Sequence, residues 1–178
     1  MENIIYKWCT TNDSSSVDRL AELFVENAAN NKEYISHGEV IVGRANNLNE
    51  WKSDIKAIMR DEFANAIHST FDSPNVFTML AIATHNEVAI ALALVDFHPE
   101  TKVAILSDIV VDASLRGRKI GESMLDWIEV EAKKWGAKYI FLESGISNQS
   151  AHHFFERMGF HTSSMVMVKE ISAVPHLD

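Results

Sequence analysis

The chain has 178 residues, of which 47% are hydrophobic and 23% charged, and this composition favours one packed domain over a disordered chain. Its net charge of −9 disfavours nucleic acid as a partner and suits cationic small molecules such as amines. The lone cysteine, Cys9, excludes an intramolecular disulfide and cysteine-based zinc sites. Neither a signal sequence nor an apolar run of about 18 residues is seen, so we expect a soluble, cytoplasmic protein without membrane contact.

The N-terminal part of the chain predicts one strand and two helices. Ile4–Cys9 has an apolar strand pattern, and apolar residues at helical spacing predict a helix over 17–28, after serines that can cap it. The polar stretch Asn30–Asn49 predicts a loop, and helical periodicity resumes over Glu50–Ile67. Asp72–Pro74 then predicts a break before two strands.

The rest of the chain predicts a hairpin, a strand–helix–strand crossover, and a final helix and strand. The predicted strands are Val76–Thr84, Val88–Phe97, Val103–Val111, Tyr139–Ser144 and Met165–Glu170. Helices are predicted from about Gly121 to Trp135 and over Ala151–Met158. A right-handed crossover makes two of these strands parallel neighbours. We therefore expect an α+β fold with a mixed, mostly antiparallel central sheet, one parallel strand pair and helices on both faces.

A basic, glycine-containing turn at Arg116–Gly121 opens the crossover helix. The first turn of a helix leaves backbone N–H groups unpaired at the positive end of the dipole, so the natural occupant is a phosphate or pyrophosphate. Gly117 and Gly121 remove Cβ atoms beside such a ligand, and Arg118 and Lys119 add positive charge. The pattern is neither a P-loop nor the dinucleotide fingerprint. The alternatives are an ordinary loop with solvated cations and a nucleotide site.

A second pattern follows the next predicted strand. In order along the chain it consists of Asn148, Ala151, Phe154–Phe155 and Gly159–Phe160. With the basic turn upstream, the sequence resembles the GCN5-related N-acetyltransferase (GNAT) superfamily, whose members transfer an acetyl group from acetyl-CoA to an amine. The family pattern Arg/Gln-x-x-Gly-x-Gly/Ala maps onto Arg116, Lys119 and Gly121. The resemblance covers about residues 76–170 and implies one acetyltransferase domain over residues 1–178.

The resemblance also implies where acetyl-CoA, the expected cosubstrate, contacts the chain. The implied cofactor-binding residues are Ile109, Val110, Val111, Arg116, Gly117, Arg118, Lys119, Ile120, Gly121, Asn148 and Phe155. Main-chain groups of Ile109–Val111 would pair with the pantetheine arm as if it were an added strand. Asn148 would bond the cofactor or, alternatively, cap the following helix. Lys119 replaces a family glycine, which the turn tolerates if φ at that residue is negative.

Acetyl transfer requires a base, because an alkylammonium with a pKa near 10 must lose a proton before it attacks. Glu143, at a strand end, occupies a position used as base in some of the relatives that this chain resembles. Asp108 is the rival, since strand alternation places it on the same face as Leu106 and Val110, where burial should raise its pKa. We expect Glu143 to be the base and Asp108 to line the amine pocket. A surface ion pair at Glu143 and a backbone-satisfied Asp108 are the structural alternatives.

One departure from the family pattern concerns the proton donor to the leaving thiolate. Phe155 stands where many members carry a tyrosine, so Ser144, Tyr34 or water would have to donate, or backbone groups would stabilise the thiolate. The expected function is direct acetyl transfer to a primary amine of a small, cationic molecule or peptide, without a metal. A non-catalytic acyl-CoA-binding or sensing module with the same fold is the alternative function. A homodimer is compatible with the sequence. His37 is expected to be a solvated loop histidine or to line a substrate pocket.

Overall fold

The computed structural model describes residues 3–10, 14–68, 76–169 and 171. The strands are β1 (Ile4–Trp8), β2 (Ala45–Asn47), β3 (Glu50–Trp51), β4 (Phe77–His85), β5 (Val88–His98), β6 (Val103–Val111) and β7 (Tyr139–Leu142). The α-helices are α1 (Ser14–Phe24), α2 (His37–Ile41), α3 (Ile55–His68), α4 (Ile120–Lys134) and α5 (Gln149–Arg157). Shorter helical turns are a π turn at Val25–Ala29 and 3₁₀ turns at Lys32–Tyr34 and Ala113–Leu115. None of the described helices is long and apolar enough to cross a membrane.

The main sheet has five strands in the order β1-β4-β5-β6-β7. All neighbouring pairs are antiparallel except β6 and β7, which are parallel. Two hydrophobic clusters cover the sheet, one built with α1 and α3 and the other with α4 and α5. The predicted α+β fold, with its single parallel pair and its helices on both faces, is therefore confirmed.

The spacing of apolar residues explains why α4 is a helix, and the residues of the turn explain why β4 and β5 form a hairpin. In α4 the buried side chains recur at helical spacing: Ile120, Met124, Leu125, Ile128 and Ala132. In the hairpin, Asn86 and Glu87 both have positive φ, at 49° and 67°. Two consecutive positive φ angles are typical of the turn whose twist matches that of the flanking strands. At this turn β4 ends one residue later than predicted, at His85, and β5 begins at Val88 as predicted.

Three predictions about secondary structure are wrong. The predicted loop Asn30–Asn49 contains α2 and β2, and the predicted helix from Glu50 begins only at Ile55. Trp51 fits a helical stripe, but it pairs with Ala45 in a small hairpin instead. Residues 165–169 of the predicted last strand lie outside any strand, because an isolated segment gains no ladder hydrogen bonds. Glu170 and the predicted break at Asp72–Pro74 lie outside the described residues.

Strand β6 contains a bulge that changes which way its side chains face. Leu94 pairs with Asp108 whereas Val95 pairs with Leu106, so Ser107 is an extra residue in β6. Leu106 belongs to the cluster on the α4 face, and Val110 belongs to the cluster on the α1 face. The expectation that Asp108 shares a face with Leu106 is therefore wrong. The bulge interrupts the alternation on which that expectation relied.

Candidate active site

The site lies where the two parallel strands separate. β6 and β7 pair only from Val103–Leu106 to Tyr139–Leu142, so the later part of β6 has no strand partner on that side. A cavity of about 470 Å³, here called the cleft cavity, opens between them. Most of the sequence-predicted site residues line it: Asp108, Ile109, Val110, Val111, Arg116, Gly117, Lys119, Ile120, Gly121, Glu143, Asn148 and Phe155. Arg118 is the predicted residue that does not line it.

The basic turn presents backbone N–H groups at the mouth of the cleft cavity. Helix α4 begins at Ile120, and its N-cap, Lys119, makes no capping hydrogen bond with its side chain. Gly117 and Lys119 both have positive φ, at 76° and 61°. The condition under which the turn would tolerate Lys119 without strain, a negative φ, is therefore not met, because the chain must turn sharply to enter α4. A left-handed conformation costs a non-glycine residue roughly 1–2 kcal/mol.

Arg116 is hydrogen-bonded to the π turn that follows α1. Its Nη2 donates to the backbone oxygen of Asn27 over 3.0 Å. The side-chain oxygen of Asn27 accepts from the backbone N–H of Ala113 over 2.6 Å. These bonds attach the π turn to the basic turn. Arg116 therefore holds the basic turn in position, and the N–H groups available to a ligand there are those of the backbone. The sequence analysis did not identify Asn27 as a site residue, because nothing in its neighbouring sequence distinguishes it from other helical asparagines.

The second sequence pattern builds the opposite wall of the cleft cavity. Asn148 caps α5, its Oδ1 accepting from the N–H of Ala151 at 3.3 Å, so its amide nitrogen is the group it can offer a ligand. Phe155 is buried in the core cluster and stacks edge-on with Phe154 and Phe160. The two alternative proton donors, Tyr34 and Ser144, both line the same cavity. The structure thus brings together both patterns and the hydroxyl groups named from sequence.

Glu143 is held by the turn that begins α2. Its Oε1 accepts from Nδ1 of His37 and from the N–H of Gly38, the latter over 3.2 Å. Partial burial raises the pKa of Glu143, but hydrogen bonds from the Ser36–Gly38 turn outweigh it and bring the pKa below its ordinary 4.5. The side chain is 41% exposed. Glu143 is therefore an ionised, oriented carboxylate, and His37 is its partner rather than a solvated histidine.

A close backbone approach brings that turn to Glu143. A Cβ at Gly145 would lie 2.7 Å from the carbonyl oxygen of Ile35 and 2.9 Å from that of Glu33. Only glycine allows the loop after β7 to pack this tightly on the segment before α2. Gly145 follows Glu143 by two positions, so the contact fixes the distance between Glu143 and the turn that binds it.

A buried arginine joins three carboxylates beside the bulge. The Arg44 guanidinium donates from Nε to both carboxylate oxygens of Glu62 at 3.0 Å and from Nη1 to Glu39 at 3.3 Å. Its Nη1 also lies 3.0 Å from Oδ2 of Asp108. That oxygen is buried and ion-paired but accepts no hydrogen bond from the described residues, whereas Oδ1 of Asp108 accepts from the same Nη1 over 3.3 Å. Burial raises the pKa of Asp108, against the attraction of Arg44.

The pKa of the Glu39 carboxyl group lies near neutral pH. Burial, followed by repulsion from Asp108, raises it to about 7, although Arg44 opposes the shift. The side chain is 13% exposed. Glu39, Arg44 and Glu62 were missed because the first two lie in a stretch that looked like a loop. No sequence spacing indicates that they meet.

A second cavity of about 610 Å³ lies on the α3 side of the bulge, and we call it the acidic cavity. Its charged side chains are Glu39, Glu62, Asp96, Glu143 and Arg44. Asp96 is fixed by the hydroxyls of Thr78 and Ser107, at 2.5 and 2.6 Å. Five residues line both cavities and are called the junction: Ser36, Glu39, Leu106, Ser107 and Glu143. Within the described chain, no group of three His, Cys, Asp or Glu side chains is arranged to hold a metal ion.

Comparisons with known proteins agree with this geometry. The model of the acetyltransferase (GNAT) family matches residues 45–160. An aminoalkylphosphonate N-acetyltransferase from Salmonella typhimurium is 31% identical over 114 residues, which are 63% of this chain and 71% of the relative. A PaiA N-acetyltransferase from Thermoplasma acidophilum, solved with coenzyme A, has a TM-score of 0.64 at 15% identity, covering 91% of this chain and 93% of that one. A transcriptional regulator from Bacillus halodurans also has a TM-score of 0.64 at 15% identity, covering 95% and 100%.

The fold and the cleft at the separating strands thus define a coenzyme A-dependent acyltransferase architecture. The chain belongs to the acetyltransferase (GNAT) family. It is an N-acetyltransferase, as the two sequence patterns predicted.

Proposed function

We propose that this enzyme transfers an acetyl group directly from acetyl-CoA to a primary amine that binds in the acidic cavity. The observation that carries the proposal is the junction, where the cleft cavity and the acidic cavity share the carboxylates Glu39 and Glu143. A donor in one cavity and an amine in the other would meet beside groups able to bind an ammonium and take its proton.

The cleft cavity would hold the donor. Backbone groups of Ile109–Val111, left without a strand partner, would pair with the pantetheine arm. The N–H groups that begin α4 would bind the pyrophosphate, with Lys119 adding charge. Arg116 would keep the turn in position through Asn27. The amide nitrogen of Asn148 would complete the contacts from the opposite wall.

Transfer would proceed without a covalent acetyl-enzyme. The amine nitrogen attacks the thioester carbonyl carbon, the C–N bond forms, and the C–S bond breaks to release coenzyme A. Cys9 is buried in the core cluster and lines neither cavity, so it is not placed to act as a nucleophile. Tyr34 and Ser144 line the cleft cavity, and their hydroxyls or water would supply the proton to the departing thiolate.

Glu143 and Asp108 would act differently from each other. Glu143 is kept ionised by its hydrogen bonds, so its charge would hold the incoming ammonium beside the thioester. The same hydrogen bonds make it a weaker proton acceptor than the sequence suggested. Asp108 lies in the cleft wall, and its pairing with Arg44 would fix that guanidinium between the two cavities.

The charges of the acidic cavity favour a cationic acceptor. It contains four carboxylates, on Glu39, Glu62, Asp96 and Glu143, against one guanidinium, on Arg44. That guanidinium is already engaged by carboxylates and is 6% exposed, so it is poorly placed to bind a phosphonate. We therefore propose a diamine or a similar cation rather than the aminoalkylphosphonate of the Salmonella relative.

Release of free thiol from acetyl-CoA in the presence of different amines tests the proposal. A panel of diamines, lysine peptides, an aminoglycoside and an aminoalkylphosphonate should give sustained turnover with cationic members and the least with the phosphonate. Glu143→Gln should raise the KM for the amine more than it changes the affinity for acetyl-CoA, since the charge of Glu143 would hold the ammonium. Saturable acetyl-CoA binding without thiol release for any amine would instead support the non-catalytic acyl-CoA-binding module.

A further inference from the structure

We propose that Glu39 is the residue that takes the proton from the substrate ammonium, while Glu143 holds that ammonium in place. This inference rests on the proposed function, and it assigns a catalytic residue that neither sequence pattern contains. Its geometric basis is the junction, whose five residues include two titratable side chains, Glu39 and Glu143. With the donor in the cleft cavity and the amine in the acidic cavity, a group that faces both would come from this set.

The other carboxylates around Arg44 are less suitable. Glu62 accepts from both Nε and Nη2 of Arg44 and lines only the acidic cavity. Asp108 lines only the cleft cavity and is buried against Arg44. Glu39 contacts Arg44 through Oε2, at 3.3 Å from Nη1, which leaves Oε1 for the substrate. Glu39 is therefore both accessible from the two cavities and held in a defined orientation.

Burial and the charges that face Glu39 together explain why it can hold a proton near neutral pH. Burial and Asp108 from β6 raise its pKa most, Arg44 lowers it, and Glu62 from α3 raises it slightly. Glu143, Asp96 and His68 line the adjoining cavity. With a pKa of about 7, Glu39 is about half ionised at neutral pH and is a much stronger proton acceptor than Glu143. General bases work best when their pKa lies near the working pH.

The proton transfer balances within the proposed reaction. The substrate ammonium gives one proton to Oε1 of Glu39, and the resulting neutral amine attacks the thioester carbonyl carbon. The C–N bond forms, the C–S bond breaks, and the attacking nitrogen loses its second proton, which reaches the departing thiolate through Tyr34, Ser144 or water. The products are a neutral amide and the thiol of coenzyme A. Glu39 then returns its proton to solvent through the open acidic cavity. Activity should accordingly fall as the pH drops below about 7, since protonated Glu39 can accept nothing.

The test is the pH profile of kcat/KM for the best amine of the panel, measured on the full chain. Glu39→Gln should lose roughly 10²- to 10³-fold in kcat at pH 7 and lose the acidic limb of the profile. Its activity should recover toward pH 10, where the amine deprotonates unaided. Glu39→Asp should restore the acidic limb with part of the rate. Glu143→Gln should keep the limb and act mainly on KM, and Glu129→Gln, on the exposed face of α4, should match the parent enzyme.

Acetyl-CoA titration by calorimetry shows whether each variant retains a folded donor site. If Glu39→Gln binds acetyl-CoA normally and keeps both its rate within threefold and its acidic limb, Glu39 is not the base. If the limb disappears in Glu143→Gln instead, the two roles are reversed and the inference is overturned. If the parent enzyme releases no thiol with any amine, the proposed function fails and this inference fails with it.

Discussion

Replacing Glu39 by glutamine should make the fold more stable, and increasingly so as the pH rises. Glu39 has a folded-state pKa of about 7, against an ordinary value of 4.5. The folded state therefore binds more protons than the unfolded state between these values, and folding stability is lost as the pH rises through that window. Glutamine has nearly the same shape and can still accept from Arg44, but it carries no charge that burial penalises.

The size of this effect follows from the two pKa values. The shift corresponds to about 3.4 kcal/mol when both states are ionised, at pH 8.5, and to about 1.4 kcal/mol at pH 5.5, by linkage at 1.36 kcal/mol per pKa unit. The stability advantage of Glu39→Gln over the parent should thus grow by about 2 kcal/mol between these pH values. Any constant change in packing cancels in this difference.

Urea denaturation at pH 5.5 and at pH 8.5 measures the effect directly. The slopes of the transitions should be equal for parent and variant, so that only the midpoints differ. Glu129→Gln makes the same chemical change at a side chain that is 52% exposed and serves as the matched control. A stability difference for Glu39→Gln that stays constant within about 0.5 kcal/mol would show that Glu39 is not destabilised by its surroundings.

Substitutions at three further positions test the structural basis of the site. Lys119→Gly should stabilise the fold by about 1 kcal/mol, raising the melting temperature by roughly 2–4 °C, whereas Lys119→Ala should give no such gain because φ stays at +61°. Gly145→Ala should lower the free energy of unfolding by about 1–3 kcal/mol in urea titrations, because its Cβ meets the carbonyl of Ile35 at 2.7 Å; an unchanged value would contradict the close approach. Arg44→Met should cost about 3–5 kcal/mol by the same measurement, since buried carboxylates lose their counterion, and Arg44→Lys should cost less.

Much of the fold could be predicted from local patterns. The strand Val103–Val111 matches β6 residue for residue, and the crossover to β7 follows from a strand, a helix and a strand within a short stretch. The hairpin turn was equally local, because Asn86 and Glu87 adopt the positive φ angles that it requires. The strand predicted over residues 165–169 is not formed, because a strand needs a neighbouring strand and apolar periodicity does not indicate whether one is present.

The proposed donor half of the site was also visible in the sequence, because its groups are close together along the chain. A turn and the helix that it opens present their N–H groups wherever they occur, and the residues Arg116–Gly121 carry all of that information. The exception was the sign of φ at Lys119, which depends on how the chain enters α4 rather than on the residue itself.

The acceptor half was decided by tertiary structure. The bulge at Ser107 turns Asp108 toward Arg44, and the close packing at Gly145 brings the Ser36–Gly38 turn onto Glu143. The chain by itself thus determined the fold and the turn proposed to bind the pyrophosphate, because both depend on local spacing and backbone geometry. Which carboxylates share a proton and a counterion depends on burial and on distances across the sheet, and only the folded molecule sets these.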